Sequence, residues 1–222
     1  GVGPKGIAID ATNHRYYVAN FWTNTATVGD SDTHAILDTL GVGVQPSGVA
    51  VDATTRRVYV SNSMANTLTV IDGATDAIVS TIPAGTHPFG VAIDGVTHRV
   101  YVTGNSSNNV LVIDGASNAL IAAIPVGSAP EGLAVDESRN RIYVANSGSG
   151  TMSVIDGASN AVIGTVNVGA SPRGVAVNAA LGHVYVTNKG SGTVSVVDSG
   201  SNTVIHTVTV GASPMAKSRQ VV

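Results

Sequence analysis

The chain has 222 residues, a formal net charge of −3 and no cysteine, so disulfides and thiolate metal sites are excluded. Its length suits one domain, and its slightly acidic balance argues against a nucleic-acid partner. The mean hydropathy of +0.26 comes from short apolar runs. One of the longest, 119–124, ends at Pro125 and falls far short of the roughly 18 residues that a membrane-spanning helix needs. We therefore predict no nucleic-acid binding and no membrane insertion.

A period of 42 residues runs through the sequence. It appears in three series: Pro4, Pro46, Pro88, Pro130, Pro172 and Pro214; Tyr17, Tyr59, Tyr101, Tyr143 and Tyr185; and Asp30, Asp72, Asp114, Asp156 and Asp198. A period of about 40 to 45 residues with strand-like content is typical of β-propellers. We predict a propeller domain over 1–211, with repeats at about 1–42, 43–84, 85–126, 127–168 and 169–210, and a degenerate C-terminal tail over 212–222.

Each repeat reads as four short strands, which the second repeat shows in chain order. Strand a covers 48–52, strand b 57–62, strand c 67–72 and strand d 77–84. These segments are rich in β-branched residues and are bounded by Gly, Asn, Asp or Pro, whereas no 3.6-residue apolar stripe indicates a helix. Apolar residues occupy both faces of the strands, as expected where blades stack on two neighbours. The predicted fold is all-β, a propeller of five four-stranded blades.

Strand b ends in a tetrapeptide that points to a family. It reads YVTN at 185–188, YVTG at 101–104, YVSN at 59–62, and YVAN at 17–20 and 143–146. With PSGVAVD and NTLTVID around it in the second repeat, the chain resembles the YVTN-repeat β-propeller family over nearly its whole length. That family includes surface-layer and secreted proteins, so the resemblance implies an extracellular or cell-surface location. Its members are usually seven-bladed, whereas this chain carries five repeats.

The two ends of the array bear on how the ring closes. Gly1 aligns with Gly43 and so stands at the start of a repeat. After Pro214, Lys217 and Arg219 take the places that valines hold in the fifth repeat, and unpaired charges there would be costly to bury. We expect a monomer with a closed five-blade ring, in which blade 5 packs on blade 1.

Residues that recur in the repeats are assigned to the scaffold. An aspartate precedes an arginine by five residues at Asp10 and Arg15, Asp52 and Arg57, Asp94 and Arg99, and Asp136 and Arg141. The fifth repeat changes both residues, to Asn178 and His183, which indicates an ion pair or hydrogen bond across the a–b turn. Asp72 and its equivalents are predicted to form the c–d turns. The tyrosine series is predicted to pack in the core with its hydroxyls on a partner.

Residues that differ between repeats mark one rim, where the d–a and b–c loops meet around the central opening. The candidate ligand-binding residues on this rim are Lys5, Phe21, Trp22, Met64, His87, Phe89, Glu131, Arg173 and Lys189. A constant scaffold with a variable rim is what a binding face presents, although a rim free to drift would vary in the same way. Trp22 suits a sugar, a peptide or a partner protein if exposed, or else Phe21 and Trp22 cover the edge of blade 1. Phe89 is interpreted as a plug of the channel.

These observations favour a non-enzymatic scaffold that binds a partner protein or a glycan through the rim, without cofactor or metal. The alternative is a lyase or hydrolase with His87 as base, Glu131 as its partner and Arg173 as an anion clamp. A similarity to streptogramin lyase would imply such a histidine–glutamate pair, but the rim has no second histidine. Its single carboxylate also argues against a two-carboxylate glycosidase. An engineered or minimal propeller without a selected ligand is a third hypothesis.

Overall fold

A computed structural model gives the structure of the protein and describes residues 1–214. Every regular element in these residues is a β-strand, and the strands form five antiparallel sheets of four. The strands of each sheet are neighbours in chain order. The predicted all-β propeller of five four-stranded blades is confirmed. The predicted tail lies outside the described residues from Met215 onward, and Lys217 and Arg219 with it.

The strands follow the 42-residue repeat. Blade 1 contains β1 (Pro4–Asp10), β2 (Arg15–Asn20), β3 (Thr25–Asp30) and β4 (Ile36–Gly41), and blade 2 contains β5 (Pro46–Asp52), β6 (Arg57–Asn62), β7 (Thr67–Asp72) and β8 (Ile78–Pro83). Blade 3 contains β9 (Pro88–Asp94), β10 (Arg99–Gly104), β11 (Asn109–Asp114) and β12 (Leu120–Pro125). Blade 4 contains β13 (Pro130–Asp136), β14 (Arg141–Asn146), β15 (Thr151–Asp156) and β16 (Ala161–Asn167), and blade 5 contains β17 (Pro172–Asn178), β18 (His183–Asn188), β19 (Thr193–Asp198) and β20 (Thr203–Thr209).

The innermost strand of each blade begins at the repeated proline. These strands pack in succession, β1 on β5, β5 on β9, β9 on β13 and β13 on β17. Their pairing with the second strand is irregular just after the proline, as between Pro130 and Leu133. A bulge in a strand breaks the regular alternation and redirects a side chain. The residue between the proline and the glycine lies in this bulge. Its side chain can therefore point towards the central opening instead of packing in the core.

The hydrophobic core lies between blades. Four buried clusters join blades 1 and 2, 2 and 3, 3 and 4, and 4 and 5. At the first junction, Tyr17 and Val28 of blade 1 pack with Val58 and Ile71 of blade 2. Each blade therefore needs apolar residues on both faces, which is the physical reason for the non-alternating strands of the sequence.

The expected packing of blade 5 on blade 1 is not found in residues 1–214. No hydrophobic cluster in these residues joins the two blades, and β1 and β17 lack the extensive packing that joins the inner strands of successive blades. Ile9 on β1 is 55% exposed, whereas Ile93, at the same position of blade 3, is 1% exposed. Ala176 on β17 is likewise exposed, whereas its equivalent Ala134 is buried. The five blades therefore form an arc with a free face at each end among the described residues, and the closed ring is corrected to this arrangement.

Blade 1 differs from the other blades at two of the repeated apolar positions. Tyr16 and Gly29 occupy positions that hold aliphatic residues in the other blades, such as Val58 and Ile71 of blade 2. The Tyr16 ring lies where a Cβ on Gly29 would be, so the tyrosine fills the space of the missing aliphatic side chain. This exchange places a phenol on the outer face of the first blade.

The a–b turns are closed in a different way from the one predicted. Asp52 accepts hydrogen bonds from the backbone amides of Thr54 and Thr55, at 3.0 and 3.1 Å, and not from Arg57. Arg57 instead reaches Asp72 on the next strand, 3.2 Å away. The predicted pair across the turn is therefore wrong at Asp52, because the turn amides occupy its Oδ1 atom and His98 Nδ1 of blade 3 lies 2.7 Å from its Oδ2 atom. The c–d aspartates form their turns as predicted. The Asp72 carboxylate accepts hydrogen bonds from the backbone amides of Ala74 and Thr75, and these bonds lower its pKa.

The tyrosine of strand b links neighbouring blades. The Tyr59 hydroxyl is buried and donates a hydrogen bond to the Gly115 carbonyl of blade 3, 3.2 Å away. Tyr17 makes the equivalent bond to Gly73 at 3.4 Å. Desolvation, reinforced by the nearby Asp52 carboxylate, raises the pKa of Tyr59 to about 12. The prediction that these hydroxyls reach a partner is thus confirmed at the first two junctions. It is wrong for Tyr101 and Tyr143, whose buried hydroxyls have no hydrogen-bond partner within residues 1–214.

This raised pKa predicts a loss of stability in alkali. The unfolded chain ionises its tyrosines near their ordinary pKa of 10.0, whereas folded Tyr59 stays neutral until about 12. Stability from this group is therefore complete below pH 10.0 and declines as the pH rises towards 12. Tyr59→Phe should flatten part of this decline, as measured by denaturant unfolding at several alkaline pH values. An unchanged pH slope in Tyr59→Phe would contradict the prediction.

Candidate binding site

The strand directions give the arc two unlike faces. The upper face is formed by the b–c turns and by the connections that enter each proline, and the lower face by the a–b and c–d turns. On the upper face, the b–c turn bonds to the connection of its own blade, as where the amide of Asn105 donates to the His87 carbonyl at 3.1 Å. The candidate residues predicted from the sequence all lie on this face.

Charge is segregated between the two faces. The upper face carries Lys5, Arg173 and Lys189 against one acid, Glu131, for a formal charge of +2. Twelve of the 14 acidic residues lie on the lower face: Asp10, Asp30, Asp32, Asp52, Asp72, Asp76, Asp94, Asp114, Asp136, Glu137, Asp156 and Asp198. Six arginines oppose them there, Arg15, Arg56, Arg57, Arg99, Arg139 and Arg141. An acidic protein thus has a basic upper face, and such a field attracts anions.

A rigid backbone frame carries the rim. The residue before each repeated proline adopts a left-handed conformation, and at His87 φ is 55°. The His87 amide donates to the Asn66 side-chain oxygen of blade 2, 2.8 Å away, and Asn24 and Asn108 make the same link at their own junctions. Left-handed non-glycine residues are strained and persist where the surroundings hold them. The connections that enter blades 2, 3 and 4 are therefore each held in place by an asparagine side chain of the preceding blade.

Glu131 and Arg173 form an ion pair across the junction of blades 4 and 5. Arg173 Nη1 lies 3.1 Å from Glu131 Oε2, and Glu131 is 7% exposed. Burial raises the pKa of Glu131, against the opposing effects of Arg173, the Ser147 hydroxyl, Lys189 and Lys5. These four groups therefore surround one buried carboxylate. Ser147 was not identified from the sequence, where the first residue of a tight turn carries no functional signal.

Lys5 lies among aromatic rings. Its Nζ is 3.2 Å from the centre of the Phe21 ring and 5.8 Å from that of Phe89. Such cation–π contacts stabilise an ammonium group without neutralising its charge. Desolvation and repulsion by Arg173 lower the pKa of Lys5, although Glu131 opposes the shift. The cation is therefore held near the other basic groups without a carboxylate in direct contact.

Phe21 and Trp22 connect this centre to the rim. Their rings meet edge to face at 4.7 Å between centroids, and Trp22 remains 67% exposed. The alternative in which Trp22 folds down to cover the blade edge is therefore not the arrangement in this structure. Phe89 is half-buried and faces Lys5, and its role as a channel plug stays a prediction. Met64 is exposed on the b–c turn of blade 2, away from these contacts.

The histidine–glutamate pair of the enzyme hypothesis is not formed among the described residues. No hydrogen bond or ion pair in residues 1–214 joins His87 to Glu131, which instead pairs with Arg173. The His87 Nδ1 atom is buried and lacks a hydrogen-bond partner. Residues 1–214 also contain no group of three His, Asp or Glu side chains that could hold a metal ion. No helix with the length and apolarity to cross a membrane occurs in the same residues.

Two models of known protein families match parts of the repeat array. A model described as YNCE-like beta-propeller matches residues 50–141, and an NHL repeat model matches residues 170–197. The chain is a β-propeller repeat protein. These matches confirm the predicted β-propeller repeat, and the assignment to the YVTN-repeat family in particular stays a prediction. None of the curated proteins matches its sequence.

Solved structures resemble the propeller at low sequence identity. A functionally unknown protein from Desulfotomaculum acetoxidans is 17% identical with a TM-score of 0.81, and the match covers 93% of this chain and 70% of that one. Hydrazine synthase from Kuenenia stuttgartiensis is 16% identical with a TM-score of 0.71, covering 97% of this chain and 88% of that one. At these identities the likeness concerns the fold alone.

Proposed function

We propose that the propeller is a non-enzymatic binding scaffold, secreted or at the cell surface, whose upper rim binds a glycan or a partner protein. The observation that carries the proposal is the convergence of residues that differ between repeats. Lys5, Phe89, Glu131 and Arg173 come from four blades and share one repeat position, and they meet at the opening through ion-pair and cation–π contacts. The shared repeat position brings these residues together whatever their identity, so the support lies in their chemistry. This position holds an ion pair, a further cation and an aromatic ring, whereas the scaffold positions repeat one residue type.

The exposed indole of Trp22 supports the same face. Large aromatic side chains are enriched at binding surfaces because they bury much area at little cost in conformational entropy. Trp22 is positioned by Phe21 and by the close approach of its ring to Gly3, where a Cβ would collide with it. The indole is therefore held in an exposed position and is ready for contact.

The experiment compares two exposed apolar side chains on opposite faces. Trp22→Ala should lower the affinity for ligands retained on arrays of neutral glycans, acidic glycans and peptides by at least about tenfold, the loss expected of an interface hot spot. Leu181→Ala is the matched control, since Leu181 is equally exposed in an a–b turn of the lower face. Equal losses in the two variants would contradict the proposal.

The remaining outcomes separate the other hypotheses. Turnover of an array ligand that disappears in His87→Ala would support the lyase or hydrolase alternative. If the protein binds no ligand on any of the three arrays, the hypothesis of a propeller without a selected ligand would be supported. The ion pair of Glu131 with Arg173 favours the binding scaffold, because it withholds that carboxylate from the proton transfer which the enzyme requires.

A further inference from the structure

The basic groups at the opening exceed the acid that they surround. We define the basic cluster as Lys5, Arg173, Lys189 and Glu131, whose formal charge is +2. All three cations act on the Glu131 carboxylate, but Arg173 alone is within ion-pair distance of it in residues 1–214. Partly buried cations without counter-ions are unfavourable unless an anion joins them. The cluster thus contains one carboxylate, and its remaining positive charge is sufficient to bind the carboxylate of a ligand.

Within residues 1–214, one nitrogen of the cluster and one hydroxyl at an equivalent repeat position are buried without hydrogen-bond partners. The Arg173 Nε donor is buried and makes no hydrogen bond, although Nη1 of the same side chain binds Glu131. The Ser47 hydroxyl, at the repeat position equivalent to Lys5 and Arg173, is also buried and unpartnered. Buried donors without acceptors are uncommon in folded proteins, and a missing ligand or water is one explanation. The Arg173 Nε atom therefore provides a hydrogen-bond donor within the basic cluster.

Aromatic surface continues outward from the cluster. Lys5 contacts the Phe21 ring, which contacts Trp22, and Trp22 faces solvent. A ligand that reaches the cluster can therefore place an apolar surface on the indole while its anionic group meets the cations. The C–H face of a pyranose ring is such a surface, and a few polar groups beside aromatic rings are typical of small-ligand sites.

We propose that the basic cluster binds the carboxylate of an acidic sugar, such as a uronate residue of a glycan, with the sugar ring on Trp22. This inference rests on the proposed function and names its ligand class. Lys5 and Lys189 supply the charge, and Arg173 offers its free Nε donor while Nη1 holds Glu131. Glu131 positions Arg173 and keeps the cluster from being too strongly self-repulsive.

An acidic sugar fits the upper face better than an acidic peptide. The b–c turns of blades 3 to 5 consist of small residues, Asn105-Ser106-Ser107-Asn108, Ser147-Gly148-Ser149-Gly150 and Lys189-Gly190-Ser191-Gly192. The Ser149 and Ser191 hydroxyl oxygens accept the amides of Ser128 and Ala170, and their hydroxyl protons stay available to a sugar oxygen. These short polar side chains offer no apolar contact of the kind that recognises alternate peptide side chains. The exposed aromatic ring is confined to blade 1, beside Lys5, where a single ring can stack.

The test uses one sugar with and without its charge. Oligogalacturonate should bind the wild-type protein, and its fully methyl-esterified form should bind at least about tenfold more weakly, as expected for loss of a charge-assisted contact. Lys5→Gln and Lys189→Gln should each weaken oligogalacturonate binding about tenfold and make it less sensitive to salt. Arg56→Gln, which removes an exposed charge from the lower face, should leave it unchanged.

Each other outcome overturns a defined part of the proposal. Equal binding of the acid and its ester, with loss in Trp22→Ala, would overturn the carboxylate site and leave the glycan-binding function intact. Binding of oligoglutamate but not of oligogalacturonate would overturn the sugar assignment in favour of an acidic peptide. Binding of neither probe, while other array ligands are retained through Trp22, would overturn the basic cluster as a site without overturning the scaffold.

Discussion

Gly90→Ala is expected to destabilise the propeller by about 3 kcal/mol, since backbone at a packed junction cannot yield to an added methyl group. A Cβ on Gly90 would collide with the Glu131 carbonyl oxygen of blade 4 and would lie 2.8 Å from Leu133 Cδ2. The Gly90 amide also donates to Thr103 Oγ1 at 2.8 Å, and the same hydroxyl donates to the Glu131 carbonyl at 2.8 Å. The glycine is therefore the point where two inner strands approach most closely.

The matched control is Gly41→Ala. No atom lies within 4 Å of a Cβ on Gly41, so the alanine meets open space. Because alanine has less conformational freedom than glycine in the unfolded chain, the substitution should stabilise the protein by about 0.5 kcal/mol. Denaturant unfolding measures both changes, and Gly132→Ala, which would strike the Arg173 carbonyl, should repeat the loss at the next junction. A Gly90→Ala variant as stable as Gly41→Ala would show that the inner strands can separate without cost.

Ile93→Ala is expected to lower the free energy of unfolding by about 3 kcal/mol, the loss for a fully buried isoleucine. Ile9→Ala, the same substitution at the same repeat position, should cost less than about 1 kcal/mol because its side chain is already largely exposed. Ile93 belongs to the cluster between blades 2 and 3, whereas Ile9 lies on the free face of blade 1. The difference between the two losses therefore compares the packing at the junction of blades 2 and 3 with that at the free face of blade 1.

The comparison decides whether the arc is open in solution. Denaturant unfolding of both variants at the same protein concentration gives the two losses directly. Equal losses would mean that Ile9 is buried in solution, and the free face would then be covered. Repeating the measurement at several protein concentrations distinguishes cover by another copy, which depends on concentration, from cover within one chain.

The arrangement of the site explains why its residues look unrelated in the sequence. Lys5 and Arg173 are separated by four repeats, yet both follow the same proline and lie in the same bulge. The repeat period predicted their common position and the face that they share. It could not predict which side chains touch, because that depends on the curvature of the arc and on side-chain length. The enzyme alternative required His87 and Glu131 to pair, whereas Arg173 occupies the carboxylate.

The sequence by itself determined the class of fold, the number of blades and the separation of scaffold from rim. It could do so because a 42-residue period repeats one local solution five times, and each copy confirms the others. The tertiary structure decided that blades 1 and 5 lack a packed junction within residues 1–214, and which rim side chains contact one another. Ile9 and Ile93 are alike in sequence, and the presence of a packed neighbour makes one exposed and the other buried. The partners of Lys5, Glu131 and Arg173 were likewise decided by distances across the opening, which no local pattern encodes.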